Sequence, residues 1–387
     1  MSPRLMTQPS AWLHARAAAS SKAARAASAA RSARTARTGL TRRRFLAGAA
    51  ASPLALSGWL GCGPQATASV PAPAERRFSF FSVGDIGKLQ NLPGPWSRQN
   101  QAGRAMARLH QVDPVDALVL LGDNFYPDGL VPFEAEMRIG ENLVAPYSAF
   151  VRCTARARRR FSCDPEARPV PIESVPGNHD HGTLGKVAYQ ARVVPHYIEN
   201  FTLYQEPVTL LERPGISLIL MDTALWDATR MALLADALRN SRGPLIALVS
   251  HLPVADTGPR FPAALSAAVL ATIRAVGRTV HLHLCGHEHN LQVLPLEAPG
   301  PRVEVIVGGG SSPRPVEATR ARRFFGWSGI GFARVDVFGG EKPSVQVDLY
   351  AAEPRLCFWA AAARPLASVR VSSNGEVSFE EHRGVAL

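Results

Sequence analysis

Five apolar runs in this chain of 387 residues break off in side chains that bind cations. "SVGDIG" brings Asp85, "LLGDNFY" brings Asp123 and Tyr126, and "SVPGNHD" brings Asn178, His179 and Asp180. "LVSHLP" brings His251, and "LCGHEHN" brings His287 and His289. Each fragment alone has a plain structural use: Gly-Asp makes turns, Asn-His-Asp makes caps and bends, and Gly-His-x-His often sits on a surface. Gathered together, two carboxylates, an amide, three imidazoles and a phenol would cluster polar groups for no structural gain, so metal binding is the chemistry they point to. One ion takes about four to six donors. The seven side chains Asp85, Asp123, Tyr126, Asn178, His251, His287 and His289 therefore suit two ions, with Asp123 shared between them. A pair of ions roughly 3.5–4 Å apart clamps the attacking and leaving oxygens of an in-line displacement at phosphorus, and hydrolysis of a phosphate ester is the expected reaction.

The elements that must carry these residues are short, β-branched runs: "FSFFSV", "DALVLL", "VPIESV", "ISLILM", "PLIALVS", "VHLHLC" and "VEVIV". Helical stretches precede some of them, Arg98 to His110 before the second and Ala263 to Val276 before the sixth, which is α/β order. About the last 55 residues read as strands only, with Asn374-Gly375 as a hairpin turn. Two packed sheets with helices outside, an α/β two-sheet β-sandwich, account for both halves. In open α/β sheets ligands gather outside the carboxyl ends of strands, so the five motifs are poised to converge. His281 and His283 alternate with leucines and are read as strand packing. "ARARRRF", Ala155 to Phe161, is read as a solvated loop that would attract anionic substrates if it overhung the site.

Residues 1–68 differ from the rest. No Asp or Glu occurs before Glu75, and ten cations there account for all but about +2 of the net charge of +12. The alkaline balance is thus a property of the leader, and a nucleic-acid partner is not expected. Thr41-Arg42-Arg43-Arg44-Phe45-Leu46 followed by the weakly apolar Ala47 to Leu60 resembles a twin-arginine export signal, which implies the twin-arginine translocase as a partner during export. An organelle transit peptide is the alternative. The apolar stretch is short of the roughly 20 residues that span a bilayer. Cys62 is a candidate lipid anchor, with cleavage after Ala68 as the other possibility. The expected product is periplasmic or extracellular, either free or held as a lipoprotein. Residues 69–77 form a proline-rich linker and residues 78–387 a single catalytic domain, with 46% apolar residues along the chain sufficient for its core. Cys153 and Cys163 flank a loop and pair in one reading; in the other, Cys153, Cys163, Cys285 and Cys357 are all free thiols.

The order of motifs resembles the calcineurin-like metallophosphoesterases, whose fold is an αββα sandwich. "GDIG" places Gly87 where most of that superfamily has a histidine, and Tyr126 supplies the missing donor. Pairing GDxG with GDxxY resembles the purple acid phosphatases, and "GDNFY", "GNHDH" and "CGHEHNLQ" narrow the likeness to the small, tartrate-resistant type, over roughly Phe78 to Gly310. The resemblance implies an exported acid phosphatase acting on small phosphate monoesters through a metal-bound hydroxide. Asp85, Asp123, Tyr126 and His289 would hold Fe(III), because a phenol of pKa near 10 yields its proton to a strongly acidic cation. Asp123, Asn178, His251 and His287 would hold a divalent Fe, Zn or Mn. His179 is assigned to phosphate binding and leaving-group protonation, with Asp180 as its orienting partner. Asn124 is assigned to bracing the loop or touching substrate, and His181 to substrate binding. Some relatives carry a further histidine after the residue matching His251; "HLPVADTGPRF" has none. A phosphodiesterase on the same metals and a non-catalytic metal- or phosphate-binding scaffold are the alternatives.

Overall fold

The computed structural model describes residues 75–88, 97–182, 186–319, 321–354 and 361–382; the leader, Cys62 and Cys357 lie outside them. Among the described residues, β1 (Arg76–Val83), β2 (Ala117–Leu120), β3 (Ile172–Ser174) and β4 (Phe201–Leu203) run parallel. An antiparallel meander continues that sheet from β1 through β12 (Gly331–Phe338), β13 (Ser344–Pro354), β14 (Ala361–Ser372) and β15 (Val377–Glu381). The second sheet has the strand order Phe325–Trp327, Leu291–Pro295, Val303–Val307, Leu282–Cys285, Leu245–Val249, Ile216–Met221, Val208–Arg213. Its parallel centre is β6 (Ile216–Met221), β7 (Leu245–Val249), β8 (Leu282–Cys285) and β10 (Val303–Val307). Antiparallel strands β5 (Val208–Arg213), β9 (Leu291–Pro295) and β11 (Phe325–Trp327) complete it.

Side chains alternate between the two faces of a strand, and the buried clusters follow that alternation. Phe80, Val119 and Leu121 face Leu218, Val249 and Leu284 in the layer between the sheets. Their neighbours Phe81, Leu118 and Leu120 point to the outer face, where they pack with Met106 and Ala102 of helix α1 (Arg98–Val112). On the far face of the second sheet Ile219, Ile246 and Leu248 pack against a second set of helices. Short helical turns α2 (Ala135–Ile139), α3 (Ala155–Arg158), α4 (Asn178–His181) and α5 (Lys186–Val193) serve the first sheet. The second is covered by α6 (Ala228–Asn240) and α7 (Ala263–Val276) through Leu234, Leu238, Val269 and Ile273.

Local signals set these boundaries. Asp227 caps α6 by accepting from the Arg230 N–H at 2.9 Å, and Gly277 ends α7 at φ 73°, a left-handed conformation that an L side chain resists. The expected two-sheet sandwich with outer helices is the fold observed. The basic "ARARRRF" stretch is solvated as expected, its four arginines exposed, but it is not all loop. Its first four residues wind into α3 because the Thr154 hydroxyl caps the Ala157 N–H at 3.1 Å, and Arg156 and Arg160 pair with Glu136.

Candidate metal centre

Sheet topology brings the carboxyl ends of β1, β2, β3, β7 and β8 to one end of the sandwich. The two sheets are joined there by backbone: the Gly84 N–H donates to the Val307 carbonyl at 2.8 Å, and the Gly310 N–H to the Gly84 carbonyl at 3.1 Å. The chain turns sharply as it leaves β1, β2 and β8. Asp85, Asp123, His287 and His289 all take positive φ, from 56° to 69°. Left-handed non-glycine residues cost free energy and persist where their surroundings over-determine them, usually at functional sites. Adjacent glycines make the close approach possible. A Cβ on Gly177 would lie 2.2 Å from the Asp123 carboxylate, and one on Gly87 would lie 2.3 Å from the Asn124 backbone.

The seven candidate donors meet in two groups. In the first, the Tyr126 hydroxyl donates to Asp85 Oδ1 at 2.9 Å and lies 3.0 Å from His289 Nε2, which is itself 3.2 Å from Asp85 Oδ1. In the second, Asn178 Oδ1 lies 3.1 Å from His251 Nε2 and 3.2 Å from His287 Nδ1. Asp123 stands between them, its Oδ2 3.4 Å from His251 Nε2, and Asp85, Asp123 and His251 offer ligand atoms within 4.8 Å of one another. Two of the imidazoles are oriented from behind. His251 Nδ1 donates to the Leu121 carbonyl at 2.8 Å and His289 Nδ1 to the Ser312 carbonyl at 2.7 Å, so each turns Nε2 inward, as second-layer contacts do for metal-binding histidines.

Electrostatics show the same crowding. Burial pushes the Asp85 carboxyl up to about 7, with the neighbouring Asp123 charge adding to it. Burial also disfavours the charge on Asp123, yet His251 and His179 hold that carboxyl below the usual carboxylate range. Burial, then the charges of Asp85 and Asp123, drive the Tyr126 phenol well above its ordinary value. His287 falls to about 3 and His289 to about 4, burial being the main cause of each. His251 moves the other way, up to about 10: burial disfavours its charge, but the Asp123 and Asp85 carboxylates favour it more. Carboxylates and imidazoles this crowded and buried form a set that cations would satisfy, so the residues present fit a pair of metal ions.

The remaining expected site residues fall into place differently. His179 packs its ring on Tyr126 with centroids 4.2 Å apart, and its Nε2 is 4.0 Å from Asp123 Oδ2. Asp180 is not its orienting partner. Neighbouring residues of a helical turn point in different directions, and the Pro127 carbonyl is what receives the His179 Nδ1 hydrogen. The buried Asp180 carboxylate instead accepts the N–H groups of Gly177, Asn124 and Phe125 at 2.9 to 3.1 Å, tying the β2 and β3 loops together. Asn124 is fully buried against Ser174 and Asp180, so of its two expected roles bracing the loop is the one its position allows. His283 lies in the buried strand β8 and His281, just before it, is buried too, as expected of packing residues.

Two acids escaped the sequence reading. Asp222, just past β6, holds His181 Nε2 at 3.0 Å from both carboxylate oxygens. Its only signal was a lone acid after the apolar run "ISLILM". Glu304, mid-strand in β10, accepts the backbone N–H of Val254 at 2.7 Å and of Ala255 at 3.1 Å, and binds His283 Nδ1 at 2.7 Å. It thereby holds the loop that follows His251. Alternation with valines in "VEVIV" gave no sign of that task.

Comparison with known proteins agrees with this geometry. The calcineurin-like phosphoesterase family model matches residues 78–291, more than half of the chain. Tartrate-resistant acid phosphatase type 5 of Sus scrofa is 26% identical over 261 residues, 59% of this chain and 68% of that protein. The Homo sapiens protein of the same name is 26% identical over 250 residues, 56% of this chain and 68% of that protein. Among solved structures, purple acid phosphatase PPD1 from yellow lupin (Lupinus luteus) seeds superposes with a TM-score of 0.54 at 14% identity, covering 78% of this chain and 55% of that one. GAP50, the anchor in the inner membrane complex of Plasmodium, gives 0.55 at 16% identity, covering 72% and 85%. At such identities the two superpositions speak for the fold alone. From the family match and the strand-end donor cluster together, this chain belongs to the calcineurin-like phosphoesterase family, hydrolases that act on phosphate esters.

Proposed function

We propose that this protein is an exported acid phosphatase that hydrolyses small phosphate monoesters with a dinuclear Fe(III)–M(II) centre, M being Fe, Zn or Mn. The observation that carries this reading is the Tyr126 phenol lodged between Asp85 and His289 in a buried cluster of oxygen and imidazole donors. Asp85, Asp123, Tyr126 and His289 would hold the ferric ion; Asp123, Asn178, His251 and His287 would hold the divalent one. Such a pair acidifies bound water and offsets charge on phosphoryl oxygens. The chain's own residues do the rest: His179, beside the shared carboxylate, binds a phosphoryl oxygen, and Asp180 keeps the two loops at a fixed separation. Similarity to tartrate-resistant acid phosphatases supports monoesters as the substrate class. Export is supported by the arginine cluster ahead of Phe45 and by the Cys153–Cys163 disulfide, a bond that persists mainly in oxidising compartments.

Replacing Tyr126 by Phe keeps the ring and removes the donor. The natively metallated wild type is expected to show a visible phenolate-to-iron absorption that Tyr126→Phe lacks, with iron content falling by about tenfold or more at equal free iron. An unchanged visible spectrum in the variant would defeat the assignment.

A further inference from the structure

Helix α4 contributes Asn178 to the candidate centre and then, one turn on, presents His181. Positions three apart on a helix share a face about 5–6 Å apart, so these two side chains project side by side. Asn178 bridges to His251 beyond the end of β7, and His181 bridges to Asp222 beyond the end of β6. These strands are parallel neighbours with Leu220 opposite Val249, so Asp222 and His251 leave adjacent strand ends. One helical turn therefore spans two adjacent strand ends, with His181 one turn from Asn178 of the second donor group.

The dyad is built rather than incidental. Asp222 is 7% exposed, and its Oδ1 also accepts the Ala224 N–H at 3.2 Å. Next to it, Thr223 Oγ1 accepts the Leu252 N–H at 3.0 Å, locking the β6 corner to the His251 loop. With Nε2 engaged by Asp222, His181 Nδ1 has no hydrogen-bond partner among the described residues, and the side chain keeps 21% exposure. The loop after His251 has no comparable group to offer. Its Thr257 hydroxyl donates to Glu288 at 2.9 Å, Arg260 pairs with the other oxygen of Glu288 at 2.6 Å, and Asp256 accepts from Gly258.

We propose that His181 is the proton donor to the leaving group, acting through Nδ1, with Asp222 as its positioning residue. This rests on the phosphoesterase reading above, and it moves the proton from His179, which faces the shared carboxylate, to the dyad at the rim. In the step, water oxygen forms a new bond to phosphorus while the bond to the ester oxygen breaks. The electron pair stays on the ester oxygen, which takes the His181 proton and leaves as an alcohol. The proton released by the attacking water returns to the imidazole through solvent, so the balance is ester plus water giving alcohol plus phosphate.

The test compares an alkyl phosphate with 2,4-dinitrophenyl phosphate, whose leaving anion needs no proton, on metal-loaded full-length protein. General acids contribute about 10²–10⁴-fold, so His181→Gln is expected to lower kcat for the alkyl ester about 100-fold more than for the activated aryl ester. Asp222→Asn, a near-isosteric change, should do the same to a smaller degree. Metal content measured by elemental analysis should match wild type in both variants. Equal losses on the two esters in an active enzyme would overturn this proposal alone. A metal-loaded wild type inactive on both would overturn the phosphatase reading and this proposal with it.

Discussion

At the scale of single residues, the same side chain often has a structural and a chemical use, and burial decides between them. His110 is a case away from the centre. Its Nδ1 accepts the Val115 N–H at 3.1 Å and its Nε2 donates to the Arg168 carbonyl at 3.1 Å, so the folded protein uses the neutral ring. Burial lowers its pKa below the ordinary 6.5, and nearby Arg168 and Arg334 add to that effect. An imidazole with a depressed pKa contributes stability that is present above the unfolded value of about 6.5 and is lost as pH falls toward the folded value. Melting temperature should therefore decline from pH 7 to pH 5 more gently in His110→Gln than in wild type; parallel declines would contradict this. The residue scale is also where sequence reading was strongest. Acids and imidazoles after β-branched runs stand out because strand ends rarely tolerate so many, and all seven candidate donors meet in space. The reading failed where chain adjacency stood in for spatial adjacency, as with Asp180 behind His179, and where one acid looked like a turn, as with Asp222.

Secondary-structure elements contribute the aim of each donor. The loop after β7 carries His251, and Glu304 of the neighbouring-but-one strand binds two of its backbone N–H groups. Removing the carboxylate strands those donors and His283 in a dry interior. Glu304→Ala is expected to lower unfolding free energy by about 3 kcal/mol, and Glu304→Gln, which keeps one acceptor, by less; urea denaturation of the two variants checks the order. Strands buried along their whole length, such as β6 and β7, were legible in the sequence, as was α7, whose observed limits equal those expected. The strands β4 and β11 were not, for their three residues, unlike those of β3 inside "VPIESV", lie in no longer β-branched run that distinguishes a strand from a loop. The edge strand β5 and the return strand β9 were missed because they adjoin stronger signals on either side.

On the scale of the whole molecule, the sandwich has two differently built ends. One holds the donor cluster. At the other, before β3 begins, Cys153 and Cys163 form a disulfide with Cα atoms 6.4 Å apart, beside the arginines of α3. That basic stretch lies at the strand-start end and does not overhang the donors. Closing a loop with a sequence separation of 10 residues restricts the unfolded chain by about 3 kcal/mol. Cys153→Ser should lower the denaturation midpoint accordingly while activity at 25 °C persists, and adding reductant should bring the wild type to the variant's midpoint.

Each donor group draws oxygen ligands from the first sheet and imidazole from the second: Asp85 and Tyr126 with His289, Asn178 with His251 and His287. An ion seated in either group would rivet one half of the sandwich to the other, and whatever binds only the closed form shifts folding toward it. Cation supply would thus govern how long the molecule endures as well as how fast it turns over, and neither half expressed by itself would own a complete coordination sphere.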